Sequence, residues 1–373
     1  MRLALCGGGT GGHVYPALVI AAALQRELPA GAKLETLYLG AREGAEVDLM
    51  QRADIPLHLV SSGPIRGRNP WELARNAARM ARGVGQARRA LSEFGPQVVL
   101  STGGYASFPV ALAARSRNIP IALYLPDVYP GWAVRAIARL ARRIAATAPE
   151  SLRRLPGTKT VVTGYPVREE FWQVSRSEAR RRLGLDPEEK VLFVAGASQG
   201  AHSINQVVAD NLGSLLELCE VLHISGHGDE EWLAALAKEL PGKLRPRYHL
   251  FGYLHEEFPW AMAAADLALC RAGASVLGEL PAVGLPAILV PYPYAGAHQR
   301  LNARYLADNR AAVILDDRDL GSMLSLVGGL LHDSTQLDAM SQASRRLARP
   351  EAARNIARLI LDLLADSQSL TGP

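Results

Sequence analysis

The feature that most constrains this chain is a module that recurs through its length: a short apolar run, a glycine-rich turn, then an amphipathic helical stretch. Arg2–Cys6, Leu34–Leu39, Val98–Ser101, Ile121–Leu125 and Val161–Thr163 read as short buried strands. Pro16–Leu28, Glu43–Ala53, Pro70–Phe94, Pro109–Arg117 and Gly131–Arg143 read as the helices between them. The pattern restarts after Arg180-Arg181-Arg182-Leu183-Gly184-Leu185, with strands expected at Val191–Ala195, Glu220–Ile224, His249–Phe251, Leu267–Cys270, Ala287–Val290 and Ala312–Ile314. Strand–helix alternation of this kind implies parallel sheets covered on both faces. The 373 residues exceed what one core usually serves. The expectation is an α/β protein of two Rossmann-like doubly wound domains facing a cleft. Residues 1–163 would form the first domain and 164–373 the second, the helix at Glu351–Ala365 returning to pack on the first.

Parallel sheets bind ligands beyond the carboxyl ends of their strands, so the loops there carry the chemistry. After the first strand comes Gly7-Gly8-Gly9-Thr10-Gly11-Gly12-His13, with Pro16 opening a helix. Glycines let backbone approach a ligand closely, and a helix start offers unpaired N–H groups to a phosphate. Gly7-x-Gly9-x-x-Gly12 also satisfies the dinucleotide fingerprint, but Tyr38-Leu39-Gly40-Ala41-Arg42 lacks the acid that grips a ribose, with Glu43 the nearest candidate. Ser101-Thr102-Gly103-Gly104-Tyr105-Ala106-Ser107 and Gly196-Ala197-Ser198-Gln199-Gly200-Ala201 are two further loops of this type. In Cys270-Arg271-Ala272-Gly273-Ala274-Ser275-Val276-Leu277-Gly278-Glu279 the carboxylate is either a first-turn acid or an acceptor for ribose hydroxyls. His298, Gln299 and Asn302 supply groups able to read sugar hydroxyls.

Charge is unevenly spread. Residues 1–164 hold 21 basic and 10 acidic side chains, the remainder 20 and 26, so the first half is the one expected to meet an anion. Arg66, Arg68, Arg75, Arg79, Arg82, Arg88 and Arg89 face a single acid, Glu72. Arg75, Arg79 and Arg82 share one helical face, opposite an apolar face of Leu73, Ala77, Met80 and Val84; Trp132, Arg135, Arg139 and Arg142 form a second basic stretch. No base-stacking aromatics or recognition motif accompany the arginines, so nucleic acid is not the expected partner. No apolar run is long enough to span a bilayer. Peripheral docking on an anionic leaflet is expected instead. Cys6, Cys219 and Cys270 lack metal or disulfide spacing, and the start of the chain shows no secretory h-region, so the cytoplasm is the expected compartment.

Taken together, Gly8-Gly9-Thr10-Gly11-Gly12-His13, Thr102–Ser107, Thr163-Gly164-Tyr165-Pro166-Val167-Arg168, Gly196–Ala201, Arg271–Glu279 and His298-Gln299 with Asn302 resemble the GT-B glycosyltransferases of family 28. More narrowly, they are similar to the lipid II-forming N-acetylglucosaminyltransferases of bacterial cell-wall synthesis. The resemblance implies inverting transfer of GlcNAc from UDP-GlcNAc to the muramoyl 4-hydroxyl of undecaprenyl-linked lipid I, at the cytoplasmic face of the membrane. It implies that Thr10, Gly11 and Gly12 line the donor and that Arg168 and Ser198 hold the diphosphate. Leu254 would meet uracil through its backbone, and Ala274, Ser275, Val276, Leu277, Gly278 and Glu279 would cradle the nucleotide. Gln299 would touch the sugar, and Gly103, Gly104 and Tyr105 would stand on the acceptor side. His13 would be the general base, since an imidazole exchanges a proton at little cost near neutral pH. No cofactor and no metal is implied. One departure stands out: where the family usually shows His-Glu-Gln-Asn, this chain has Tyr124-Leu125-Pro126-Asp127. Asp127 near the donor keeps the sugar open. A glycolipid transferase using another UDP-sugar, a UDP-GlcNAc 2-epimerase and a non-catalytic sugar-nucleotide sensor are the alternatives.

Overall fold

The computed structural model describes residues 1–8, 11–41, 46–63, 70–196, 200–293 and 298–369. It divides into two compact units, one of residues 1–166 with 351–373, the other of residues 167–350.

The first unit carries seven strands: β1 (Arg2–Cys6), β2 (Glu35–Gly40), β3 (Leu57–Leu59), β4 (Val98–Ser101), β5 (Ile121–Leu125), β6 (Arg143–Ala146) and β7 (Thr160–Val162). They form one sheet in the order β3-β2-β1-β4-β5-β6-β7, every pairing parallel. The second unit repeats the scheme with β8 (Val191–Ala195), β9 (Glu220–Ile224), β10 (Tyr248–Phe251), β11 (Leu267–Cys270), β12 (Ala287–Leu289) and β13 (Ala312–Ile314), ordered β10-β9-β8-β11-β12-β13. Both orders are doubly wound, with the switch in winding between β1 and β4 and between β8 and β11. Central strands such as β4, β5 and β8 are buried at every residue, as a sheet covered on both faces requires.

Four differences from the sequence reading have physical causes. The first helix runs Gly11–Glu27, so Pro16 lies inside it. Proline lacks the N–H that would bond the carbonyl of Gly12, and the hydroxyl of Tyr165 donates to that oxygen instead, at 3.4 Å. The helix expected over 131–143 stops at Leu140, and Arg143–Ala146 is β6. The spacing of Arg135, Arg139 and Arg142 mimics a helix, but Ile144, Ala145 and Ala146 are fully buried between β5 and β7, and tertiary burial overrides alanine's helix preference. Strand β3 is a three-residue edge, too short to show a period. Along Pro70–Phe94 the inward face is Asn76, Met80, Gly83, Ala87 and Leu91; Ala77 is exposed, contrary to expectation.

The final helix, Ala352–Ser369, belongs to the first unit, and Gly164, Tyr165 and Pro166 also stay with it. Ile356, Ala357, Ile360 and Leu363 are buried at helical spacing. Arg354 and Arg358 both reach Glu27 of the first helix, at 2.8 and 2.9 Å.

Candidate active site

In the first unit, the loops after β1 and β4 converge on His13. It occupies the first turn of the Gly11–Glu27 helix and is half-buried. Its Nδ1 lies 2.7 Å from the backbone oxygen of Thr102. A carbonyl only accepts, so Nδ1 carries the hydrogen and the neutral ring keeps its lone pair on Nε2. The same Thr102 donates its hydroxyl to the backbone oxygen of His13, also at 2.7 Å. Thr102 is fully buried at the end of β4.

The two residues after it must be glycine. Gly103 and Gly104 have φ of +94° and +85°, and a Cβ on Gly104 would stand 2.8 Å from the oxygen of Gly8. The β1 and β4 loops therefore touch backbone to backbone. Ser107 fixes the turn by donating to Gly103 O at 2.6 Å. Tyr105 is 42% exposed, and its ring lies 5.9 Å from that of Trp132, which in turn meets Phe108 edge-on at 5.7 Å. Trp132, expected on a docking face, is half-buried in this aromatic cluster, while Arg135 and Arg139 beside it are exposed. Asp127 is half-buried after the end of β5. Arg75, Arg79 and Arg82 are exposed, as is Trp71 one turn earlier, at 82%. Trp71 was not singled out in the sequence because a lone tryptophan among arginines has no period.

In the second unit a charged cluster forms at the carboxyl ends of the strands. Arg168 donates to the backbone oxygen of His255 at 3.1 Å, next to Leu254 in the segment after β10, and lies over the ring of Phe171. Glu279, in the helix Val276–Val283 that follows β11, is within the field of Arg168. Burial pushes its carboxyl up, while the hydrogen bond from Ser275 and the Arg168 charge pull it down. Val276 and Leu277 turn their side chains into the core, so they can serve a ligand only through backbone. The amides of Leu277, Gly278 and Glu279 are engaged with Ala274 O and Ser275 O, a constraint on the expected cradle. Gln299 accepts from the Tyr292 amide at 2.9 Å, and buried Asn302 donates to Ala272 O at 3.1 Å, bracing the loop after β11. Arg271 is likewise structural: it bonds Asp317, Ser203 and Val290 O. Thr10 and Ser198 lie outside the described residues, as do the side chains of Glu72 and Leu73.

Burial pushes the thiols of Cys6, Cys219 and Cys270 up to about 11, 12 and 12, so none is a ready nucleophile. Among the described residues no three His, Cys, Asp or Glu side chains gather at metal-binding distance. No helix among them is long and apolar enough to cross a membrane. A cavity of about 410 Å³ in the second unit opens at the amino ends of β8, β11 and β12, the end opposite the glycine loops, and its Arg176, Arg180 and Lys190 are committed to Asp266.

Two doubly wound parallel-sheet units, with a charged cluster at the strand ends of one and an imidazole bonded to Thr102 O in the other, have the architecture of the GT-B class. The chain belongs to glycosyltransferase family 28: residues 3–146 match its N-terminal domain and residues 191–358 its C-terminal domain. It is 41% identical to a UDP-N-acetylglucosamine–N-acetylmuramyl-(pentapeptide) pyrophosphoryl-undecaprenol N-acetylglucosamine transferase of Roseiflexus sp. (strain RS-1), over 99% of this chain and 96% of that protein. The crystal structure of Acinetobacter baumannii MurG is similar at a TM-score of 0.74 and 25% identity, covering 97% of this chain and 99% of the other. A UDP-GlcNAc 2-epimerase from Neisseria meningitidis bound to UDP-GlcNAc shares the fold, at a TM-score of 0.69 and 13% identity over 97% of this chain and the whole of the other.

Proposed function

We propose that this chain transfers GlcNAc from UDP-GlcNAc to the muramoyl 4-hydroxyl of undecaprenyl-pyrophosphoryl-MurNAc-pentapeptide, forming lipid II with inversion at the anomeric carbon. The observation that carries the chemistry is the bond from His13 Nδ1–H to Thr102 O, which leaves Nε2 as the proton acceptor. The acceptor hydroxyl gives its proton to Nε2 as its oxygen bonds the anomeric carbon. The bond from that carbon to the β-phosphate oxygen breaks on the opposite face, and UDP departs with the electron pair. Arg168 and the helix N-termini after β8 and β11 supply positive potential for the diphosphate. Glu279 accepts from the ribose hydroxyls, Leu254 meets the base through its backbone and Gln299 reads the sugar. These fixed donors take the place of a metal ion; excess chelator leaves the initial rate unchanged, and abolition of activity would refute this.

Docking on the anionic cytoplasmic leaflet uses the exposed Arg75, Arg79 and Arg82 with Trp71, and Arg135 and Arg139 beside Trp132. Its support is the coincidence of exposed arginines and aromatic rings in one unit. Vesicles containing phosphatidylglycerol should bind the protein, and bind the triple Arg75, Arg79 and Arg82 neutralisation variant less well.

Radiolabelled UDP-GlcNAc tests the central reading: label passes to lipid for a transferase and to a second nucleotide sugar for an epimerase. His13→Gln lowers the rate by roughly 10²–10⁴ while UDP still binds. Competition among UDP-GlcNAc, UDP-Glc and UDP-Gal decides what Asp127 does to donor choice; preference for UDP-GlcNAc is the expected result.

A further inference from the structure

Thr102 holds His13 at two points, and only one of them belongs to its side chain. Its backbone oxygen takes the ring hydrogen on Nδ1, and its hydroxyl binds the oxygen of the His13 main chain, each at 2.7 Å. The hydroxyl has a single proton and two acceptors in range, His13 O and Cys6 O, the latter at 3.4 Å; the shorter contact is the one to His13. The Thr102 amide is itself fixed to Cys6 O at 2.9 Å, tying the threonine to the end of β1. Space around the hydroxyl is closed on the far side, since a Cβ on Gly7 would lie 2.3 Å from Thr102 Oγ1. The threonine hydroxyl thus has one conformation that serves the histidine, and nothing larger than glycine is tolerated behind it.

We propose that Thr102 is a positioning residue for the transfer reaction, its hydroxyl pinning the His13 main chain so that the imidazole stays in the Nδ1–H form with Nε2 open to the acceptor alcohol. The proposal rests on the reading of His13 as the base. Without the hydroxyl, the first helical turn is free to shift and the ring separates from Thr102 O. The hydrogen then redistributes to Nε2, and the fraction of enzyme with a competent base falls. Misplacement on the scale of an ångström lowers turnover by up to about 10²-fold.

The test uses the full chain labelled with ¹⁵N-histidine, in the wild type and in Thr102→Val and Thr102→Ser. Valine keeps the volume and removes the donor, and serine keeps the donor. In the wild type, the His13 resonances should show a protonated Nδ1 and a bare Nε2 in the neutral ring; a protonated Nε2 overturns the proposal with no variant needed. Thr102→Val should shift the tautomer toward Nε2–H and lower kcat by about ten- to a hundredfold, with KM for UDP-GlcNAc unchanged. Thr102→Ser should restore both the tautomer and kcat. A wild-type tautomer and kcat in Thr102→Val, or a serine variant as impaired as the valine one, overturns it. Full activity of His13→Gln would instead remove the base assignment, an outcome distinguishable from failure of the tautomer lock.

Discussion

The two units share a doubly wound strand order and loop placement, yet they differ in the charge buried beneath their loops. In the first unit the loops at the strand ends meet through missing side chains: Gly104 lies on Gly8, and Gly7 lies against Thr102. Glu46 is its one buried charged side chain among the described residues. The second unit encloses Arg180, Glu220, Asp266 and Arg271. Asp266 there takes Arg180 at 2.8 Å, Arg176 and the Val191 amide, while Glu220 takes His249 at 2.7 Å. The same architecture therefore presents an imidazole on a close-packed, nearly uncharged floor in one case and the Arg168–Glu279 cluster on an ion-paired frame in the other. Fold sets where a site can be; side chains decide what it does.

The sharpest way to test this contrast is to remove a charge from the frame of the second unit. Asp266→Ala leaves Arg180 buried without its carboxylate and should cost about 4 kcal/mol. Hydrogen exchange resolved by peptide should show the loss across residues 167–350 and little change in 1–166. An equal loss in both units would break the comparison.

Acid offers a second probe, confined to the second unit. His223 is fully buried in β9, where its Nδ1 meets Tyr248 OH at 2.9 Å and its Nε2 meets Asn205 Oδ1 at 3.0 Å. Desolvation pushes its pKa down to about 4, against a small opposing pull from Asp229. The unfolded imidazole titrates near 6.5, so the unfolded chain binds the extra proton first. Stability from this group is whole above about pH 6.5 and is lost as pH falls toward 4, by at most about 3 kcal/mol. Urea midpoints followed across that range should fall, and the decline should be shallower in His223→Gln.

The first unit should be sensitive to added atoms rather than to charge. Gly104→Ala introduces a Cβ at a left-handed position against Gly8 O, at a cost of roughly 2 kcal/mol. Increased exchange near β1 and β4, with residues 167–350 unaffected, is the expected result. A close approach of the same kind occurs in the second unit at Gly200, whose Cβ would lie 2.2 Å from Ser225 O, so glycine contacts serve both units and buried charge is what separates them.

What was legible in the sequence follows from these two modes of support. Fully buried strands such as β4, β5 and β8 announce themselves as apolar runs, and the glycine loops after β4 and β8 mark their carboxyl ends. β6 was hidden because Arg143-Ile144-Ala145-Ala146 continues the arginine spacing of the preceding helix, and only its place between β5 and β7 makes it a strand. Arg271 and Asn302 stood inside recognisable motifs, but their partners, Asp317 and Ala272, are distant in sequence, so their bracing role was invisible. Thr102 was readable as part of a loop, not as the clamp on His13, because that contact joins residues 89 positions apart. The excess of basic side chains in the first half signalled surface arginines correctly, yet it gave no hint that the buried ion pairs lie in the other half.

The smallest effect expected separates the first helices of the two units. Gly11–Glu27 contains Pro16, whereas its counterpart after β8, His202–Asp210, has no proline. Gly12 O consequently depends on a side chain, the hydroxyl of Tyr165, at the long distance of 3.4 Å. Tyr165→Phe should destabilise the protein by only about 0.5 kcal/mol. In a Pro16→Ala background the new amide can reach Gly12 O, so the same tyrosine change should then cost nothing measurable. A double-mutant cycle on urea midpoints reads the difference directly: a coupling near zero would mean that Tyr165 does not substitute for the missing helical donor and serves only to fill space beneath Tyr124, whose ring it meets edge-on at 6.3 Å.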